Sequence, residues 1–227
     1  MMEGNVLYGK KYVACGDSFT EGDFNNSPTN DNQFEDGLYA GCNKVYPYYI
    51  GRRNNMEVIN LGICGSTLTN GGSNPLCCRL DAIPLDADYI TIKIGINDGV
   101  KHQKMPLGTI DDTENTTFYG AWNCMLDYLT DKMPYAKIGI IVSNGMDTVD
   151  QVTATIECAK KWGIAYLDLA TDEKLPVMLR TSRTDVCEAV KERRIRDFAV
   201  APGTNHHPNA KAHEFESYIV ENWMRGL

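Results

Sequence analysis

"KYVACGDSFTEG" (residues 11–22) changes character at its sixth position. Residues 11–15 are a short apolar run of the kind that forms a buried strand. Gly16-Asp17-Ser18 then ends it, which places a hydroxyl immediately beyond the strand. The same grammar recurs in "EVINLG" (57–62), "YITIKIG" (89–95), "KIGIIVS" (137–143) and "IAYLDLA" (164–170). Each is short, rich in Val, Ile or Tyr, and followed by Gly, Ser, Asn or Asp. Helical periodicity separates most of them. Trp122, Met125, Leu126 and Leu129 form one stripe in 118–133. Val152 and Ile156 form another in 148–163, which ends at Gly163, and Phe215, Ile219 and Trp223 a third in 209–224. Strands alternating with helices predict an α/β fold: a five-stranded, mainly parallel sheet with helices on both faces and right-handed crossovers.

The bulk composition is compatible with that fold and excludes several roles. The chain has 227 residues, 43% of them hydrophobic, enough for one domain spanning 1–227 with a sizeable core. No stretch approaches the roughly 20 apolar residues of a membrane helix. The N-terminus lacks the apolar core of a secretory signal, so the expected location is cytoplasmic. A net charge of −8 disfavours nucleic acid and anionic membranes as partners. The expected partner is a small-molecule or carbohydrate substrate, with self-association left open. "KERRIR" (191–196) reads as a solvated helix face. The eight cysteines show no C-x-x-C pair and no zinc-like Cys/His spacing, so buried reduced thiols are expected, with Cys77-Cys78 as a plain loop pair. Long irregular pieces are expected at 19–45, 99–117 and 171–203, and loops of that length often build sites.

In an open sheet of this kind, ligands bind beyond the carboxyl ends of the strands. Four segments reach that edge: Gly16-Asp17-Ser18, "NLGICGST" with Asn60 and Gly65, "GIND" with Asn97 and Asp98, and "NHHPNAKAHE" with His207 just before the last helix. Singly, each has an ordinary reading as a turn, a positive-φ glycine, a helix cap or a loop residue. Together they supply a hydroxyl, an imidazole that titrates near neutrality, and amide donors for an oxyanion. Acyl transfer requires that set. A helix starting at Ser18 would add its dipole. Lys93, an amine inside the third strand, needs an edge or an acid as partner.

In these blocks the chain resembles the SGNH, or GDSL, hydrolase family, most closely its bacterial lysophospholipase-like and carbohydrate esterases. "GDSFTEG" is similar to the first family block, "NLGICGST" to the second, "GIND" to the third and "HPNAKAHE" to the last; "PLGTIDDTENTTFYGAWNCML" (106–126) adds to the likeness. The resemblance spans residues 11 to about 220 and is thin between 171 and 200. It implies a flavodoxin-like three-layer α/β/α sandwich. It also implies Ser18 as nucleophile, His207 as base, and an oxyanion hole from Ser18 N–H, Gly65 N–H and the Asn97 side chain, with no metal and no cofactor. One position departs. The family's D-x-x-H places Asp three residues before the histidine, and here that residue is Thr204. The Thr204 hydroxyl or carbonyl, or a carboxylate such as Asp197 or Asp185, is expected to orient the ring in its place. His206 is the adjacent decoy.

The expected function is a GDSL-type serine esterase acting on short acyl esters, carbohydrate O-acetyl esters among them. Lysophospholipase or thioesterase activity, or an inactive binding protein on the same scaffold, are the competing readings. A flavin redox protein is permitted by topology, but Asp17 and Glu21 stand where a phosphate loop would carry small hydroxyl residues. Tyr46, Tyr48, Tyr49 and Trp122 are candidates for a sugar-stacking surface, with core packing as the alternative for each.

Overall fold

Successive side chains of a strand point to opposite faces, so a strand buried on both sides has no polar alternation. β1 (Lys11–Gly16) shows this, with Tyr12 through Gly16 all buried. The computed structural model describes residues 4–24, 44–101, 103–146, 148–172, 174–175 and 188–227. Val13 and Cys15 pack with Phe118, Trp122, Met125 and Leu126 of α4 (Phe118–Lys132) and with Ala154 and Cys158 of α5 (Val149–Trp162). Tyr12 and Ala14 pack with Tyr46 and Ile50 of α2 (Tyr46–Asn54) and with Val220 and Met224 of α7 (Ala210–Met224). The result is the expected three-layer α/β/α sandwich.

β2 (Glu57–Gly62), β3 (Tyr89–Lys93), β4 (Lys137–Val142) and β5 (Ala165–Asp168) complete a parallel sheet of order β2-β1-β3-β4-β5. The winding reverses between β1 and β3, so the crevice at the carboxyl end opens between those two strands. Gly16 sits at its rim, paired with Lys93. A Cβ there would lie 2.1 Å from Thr20 Oγ1 and 2.5 Å from the Lys93 carbonyl oxygen, so close approach dictates glycine. Two one-turn helices follow the rim strands: α1 (Ser18–Glu21) after β1 and α3 (Ile96–Gly99) after β3.

The structure departs from the sequence reading in several places. α2 was not expected; its Pro47 lies in the first turn, where the missing N–H is no loss. The stretch 171–203 is not wholly irregular. It contains α6 (Glu188–Phe198), whose basic residues are largely solvated although Arg194 is buried, and β6 (Ala199–Ala201). β6 pairs antiparallel with β7 (Asn205–Pro208), so His207 is delivered by a strand and not by a loop. Residues 25–43 and 176–187, within two of the long loops, lie outside the described residues. Cys15, Cys77 and Cys158 are buried free thiols as expected, but Cys64, in the turn after β2, and Cys78 are exposed; Cys77 and Cys78 lie in a short 3-10 helix (Leu76–Cys78) and not in a plain loop, and Cys42 and Cys187 are outside the described residues. Among the described residues no helix is long and apolar enough to cross a membrane.

Lys93 takes an acid as its partner. Its Nζ lies 2.5 Å from Glu216 Oε1 of α7, with the side chains 0% and 1% exposed. The rings of Phe19 and Tyr46 flank the ammonium at 5.4 and 5.3 Å. Removing one member of such a pair strands a buried charge, whereas replacing both by apolar residues does not. Glu216→Leu is therefore expected to destabilise the fold by about 3–5 kcal/mol, and adding Lys93→Met to recover most of that loss. Urea unfolding of the two variants measures both; equal destabilisation in the single and double variants would contradict this account.

Candidate active site

Ser18 is the first residue of α1 and is 6% exposed. Asp17 caps the helix: its Oδ1 accepts from Phe19 N at 2.9 Å, and its carbonyl accepts from Thr20 N and Glu21 N. Burial pushes the Asp17 carboxyl up to about 7, against the backbone donor at Phe19. α1 is a single turn, so its dipole adds less at Ser18 than a long helix would.

His207 approaches from β7. Its Nε2 lies 2.8 Å from Ser18 Oγ, although 189 positions separate the two in the chain. Its Nδ1 lies 2.7 Å from Asn205 Oδ1. That same oxygen accepts the backbone N–H of His207 at 3.0 Å, which identifies it as the carbonyl end of the amide. Nδ1 is therefore the protonated nitrogen, and Nε2 offers its lone pair to Ser18. The Phe19 ring packs on the imidazole with centroids 5.1 Å apart. Burial lowers the pKa of His207 below its ordinary value, with Asp23 opposing and His206 adding to that shift.

Thr204 is not the orienting residue. It closes the turn between β6 and β7: its N–H donates to the Ala201 carbonyl at 3.0 Å and its hydroxyl is 3.4 Å from the same oxygen. In a strand, residues i and i+2 share a face, so Asn205 stands beside His207 and a residue three back does not. Asp197 pairs with Arg196 at 2.9 Å, and Asp185 lies outside the described residues. His206 is exposed and faces away from the Ser18 contact made by its neighbour.

The other two expected residues, Gly65 and Asn97, follow β2 and β3, the strands that flank β1. Ser66 N donates to the Ile63 carbonyl, closing a turn in which Gly65 takes φ +75°, a conformation that glycine adopts without a Cβ penalty. Asn97 Nδ2 donates one hydrogen to the Ser66 carbonyl at 2.9 Å, leaving the second uncommitted among the described residues. Its neighbour Asp98 is buried and accepts from Leu68 N and Thr69 N at 2.8 and 2.9 Å, which anchors the loop to α3.

Four residues that the sequence reading missed, or noted without this role, hold the segments in register. Arg79 donates to the carbonyls of Leu61 (2.8 Å) and Gly16 (3.4 Å) and to Ser66 Oγ (3.1 Å), tying β1, β2 and the Gly65 turn to one guanidinium. The Glu21 carboxylate accepts from Cys64 N, joining α1 to the same turn. Asn60 Nδ2 donates to the Thr20 carbonyl at 2.8 Å. Gln103 spans the loop, donating to the Gly65 carbonyl at 3.2 Å and accepting from Ser73 N at 2.8 Å. The aromatic candidates resolve mainly into core. Tyr46 and Trp122 are fully buried, and Tyr48 packs beside Phe24 and Val200; only Tyr49 remains outside the core clusters, with the Arg52 guanidinium over its ring. Among the described residues no group of three or more His, Cys, Asp or Glu side chains converges as metal ligands would.

Solved structures share this architecture. A protein from Lactobacillus plantarum superposes with a TM-score of 0.72 at 22% identity, over 96% of this chain and 98% of the other. A Bacteroides ovatus protein assigned as a GDSL-like lipase gives 0.65 at 18%, over 96% and 99%. A carbohydrate esterase family 2 enzyme from Myceliophthora fergusii, which carries an additional carbohydrate-binding domain, gives 0.56 at 15%, over 96% and 66%. No curated protein matches the sequence. The family model for GDSL-like lipases and acylhydrolases matches residues 14–215, which include every segment of the site. The chain belongs to the GDSL-like lipase/acylhydrolase family.

Proposed function

We propose that the protein is a serine ester hydrolase in which Ser18 is the nucleophile and His207 the base. The 2.8 Å contact between His207 Nε2 and Ser18 Oγ, with the tautomer set by Asn205, is the observation that carries this reading. His207 takes the Ser18 proton as Oγ attacks the ester carbonyl, then returns it to the departing alkoxide. Water enters by the same route and releases the acid. Ser18 N–H, Gly65 N–H and the free hydrogen of Asn97 are the oxyanion donors. We infer a short acyl ester as substrate, sugar esters included, a class supported by the carbohydrate esterase among the structural neighbours.

Ser18→Ala is expected to abolish hydrolysis of p-nitrophenyl acetate and covalent labelling by a fluorophosphonate; undiminished turnover in that variant would refute the nucleophile. Asn97→Ala is expected to lower kcat by about 10²–10³ with the fold intact, the usual effect of losing one oxyanion donor. Near-native kcat in a folded Asn97→Ala protein removes it from the hole. The neutral form of His207 is the working base, and burial lowers its pKa from the ordinary histidine value. The acid limb of kcat/KM is therefore expected on the acid side of an unperturbed histidine, and a midpoint on the alkaline side would contradict the environment described for the ring.

A further inference from the structure

An amide can fix the tautomer of an imidazole, but it brings no negative charge to the imidazolium that forms when Ser18 gives up its proton. The residue that normally does so is absent at position 204. A carboxylate nevertheless stands beside the ring, contributed from the other end of the chain. Asp23 Oδ2 is 3.7 Å from His207 Nδ1. Asn205 lies between them in bonding terms. Its oxygen is committed to the two His207 N–H groups, which turns its nitrogen towards Asp23, 3.4 Å from both Oδ1 and the carbonyl oxygen.

The position of Asp23 is built by its neighbours. Gly22 ends α1 at φ +96° with its N–H on the Ser18 carbonyl, which turns the chain back towards β7. Phe24 is then buried, 2% exposed, against Val45, Val200 and Ala201 beneath the β6–β7 hairpin. Asp23 is thus held between a turn that starts at Ser18 and a side chain clamped under the hairpin that carries His207.

We propose that Asp23 is the relocated acid of this site: a positioning residue that orients Asn205 and places a fixed negative charge beside His207, replacing the missing D-x-x-H aspartate. The inference rests on the Ser18–His207 reading above. During attack the proton leaves Ser18 Oγ for His207 Nε2, and the Nδ1 proton stays on the ring, hydrogen-bonded to Asn205. No proton passes to Asp23 in this step. An opposite charge at this range favours the charged imidazole, and so the transition state in which that charge develops. Among the described residues, few titratable groups act on the ring. Asp23 comes from the segment after α1, His206 from β7 itself and His213 from α7, with Lys93 of β3 beyond the Phe19 ring. Among the described residues Asp23 is the acid of this group, and it opposes the effect of burial on His207.

The test is the pH profile of p-nitrophenyl acetate hydrolysis by the full chain and three variants. Asp23→Asn is expected to lower kcat about ten- to a hundredfold, a part of the 10²–10⁴ that positioned proton transfer supplies, with KM little changed. It should also move the acid limb of kcat/KM down by about one pH unit, because the ring loses the charge that favours its protonation. Asp23→Ser should shift the limb in the same direction, which guards against an effect of the asparagine itself. Asn205→Asp placed on Asp23→Asn returns a carboxylate directly to Nδ1, and should restore most of kcat and move the limb back up. A folded Asp23→Asn protein with the parent's kcat and the parent's acid limb overturns the proposal while leaving the hydrolase reading intact. A parent protein that neither turns over ester nor labels at Ser18 overturns the hydrolase reading, and the role of Asp23 with it.

Discussion

The buried ion pair between Lys93 and Glu216 joins the middle strand of the sheet to the last helix, and the site is arranged around that junction. A charge in the third strand cannot be left unpaired, so α7 must dock with Glu216 against β3. The chain enters α7 directly from β7, with Asn209 as the cap, so the same docking fixes where His207 arrives. Phe19 touches both: the Lys93 ammonium lies 5.4 Å from its ring centroid, and the ring packs on the His207 imidazole. One electrostatic obligation in the core thus sets the distance between two residues at opposite ends of the sequence.

The rim of the crevice is held by a different kind of bond. Arg79, Glu21, Asn60 and Asp98 all spend side-chain groups on backbone atoms of neighbouring segments. Backbone-directed bonds fix the path of the main chain, and the candidate oxyanion donors are themselves mainly main-chain groups. A guanidinium that grips Leu61, Gly16 and Ser66 together keeps the turn at Gly65 in register with Ser18, and rigid placement of donors is what gives such a site its effect.

Much of this was legible in the sequence because the physics is local. Short apolar runs rich in Val, Ile or Tyr marked the five strands, and Gly, Ser, Asn and Asp marked their carboxyl ends. Ser18, Gly65, Asn97 and His207 followed from the rule that ligands sit there, reinforced by family resemblance. What stayed hidden depends on non-local partners. α2 is rich in tyrosine with little helical propensity, and tertiary contacts with β1 and α7 decide its state. The β6–β7 pair is only three and four residues long, below what alternation can reveal. Without knowing that 205–208 is a strand, position 204 looks like the partner of His207. Once the strand is recognised, the i, i+2 rule selects Asn205. Asp23 is harder still, since nothing in its own neighbourhood points across 182 residues to Asn205.

The hairpin that carries His207 has a temporal consequence. Synthesis runs from the N-terminus, so β1, α1 and the Gly65 turn exist long before β7 does. A nascent chain that stops short of residue 205 holds Ser18 without an imidazole and Lys93 without its carboxylate. The Ser18 hydroxyl then lacks the ring nitrogen that it meets in the folded chain, and the strand beneath it carries an uncompensated charge. Docking of the segment from β6 to α7 therefore brings the imidazole to Ser18 and the carboxylate to Lys93 in one step.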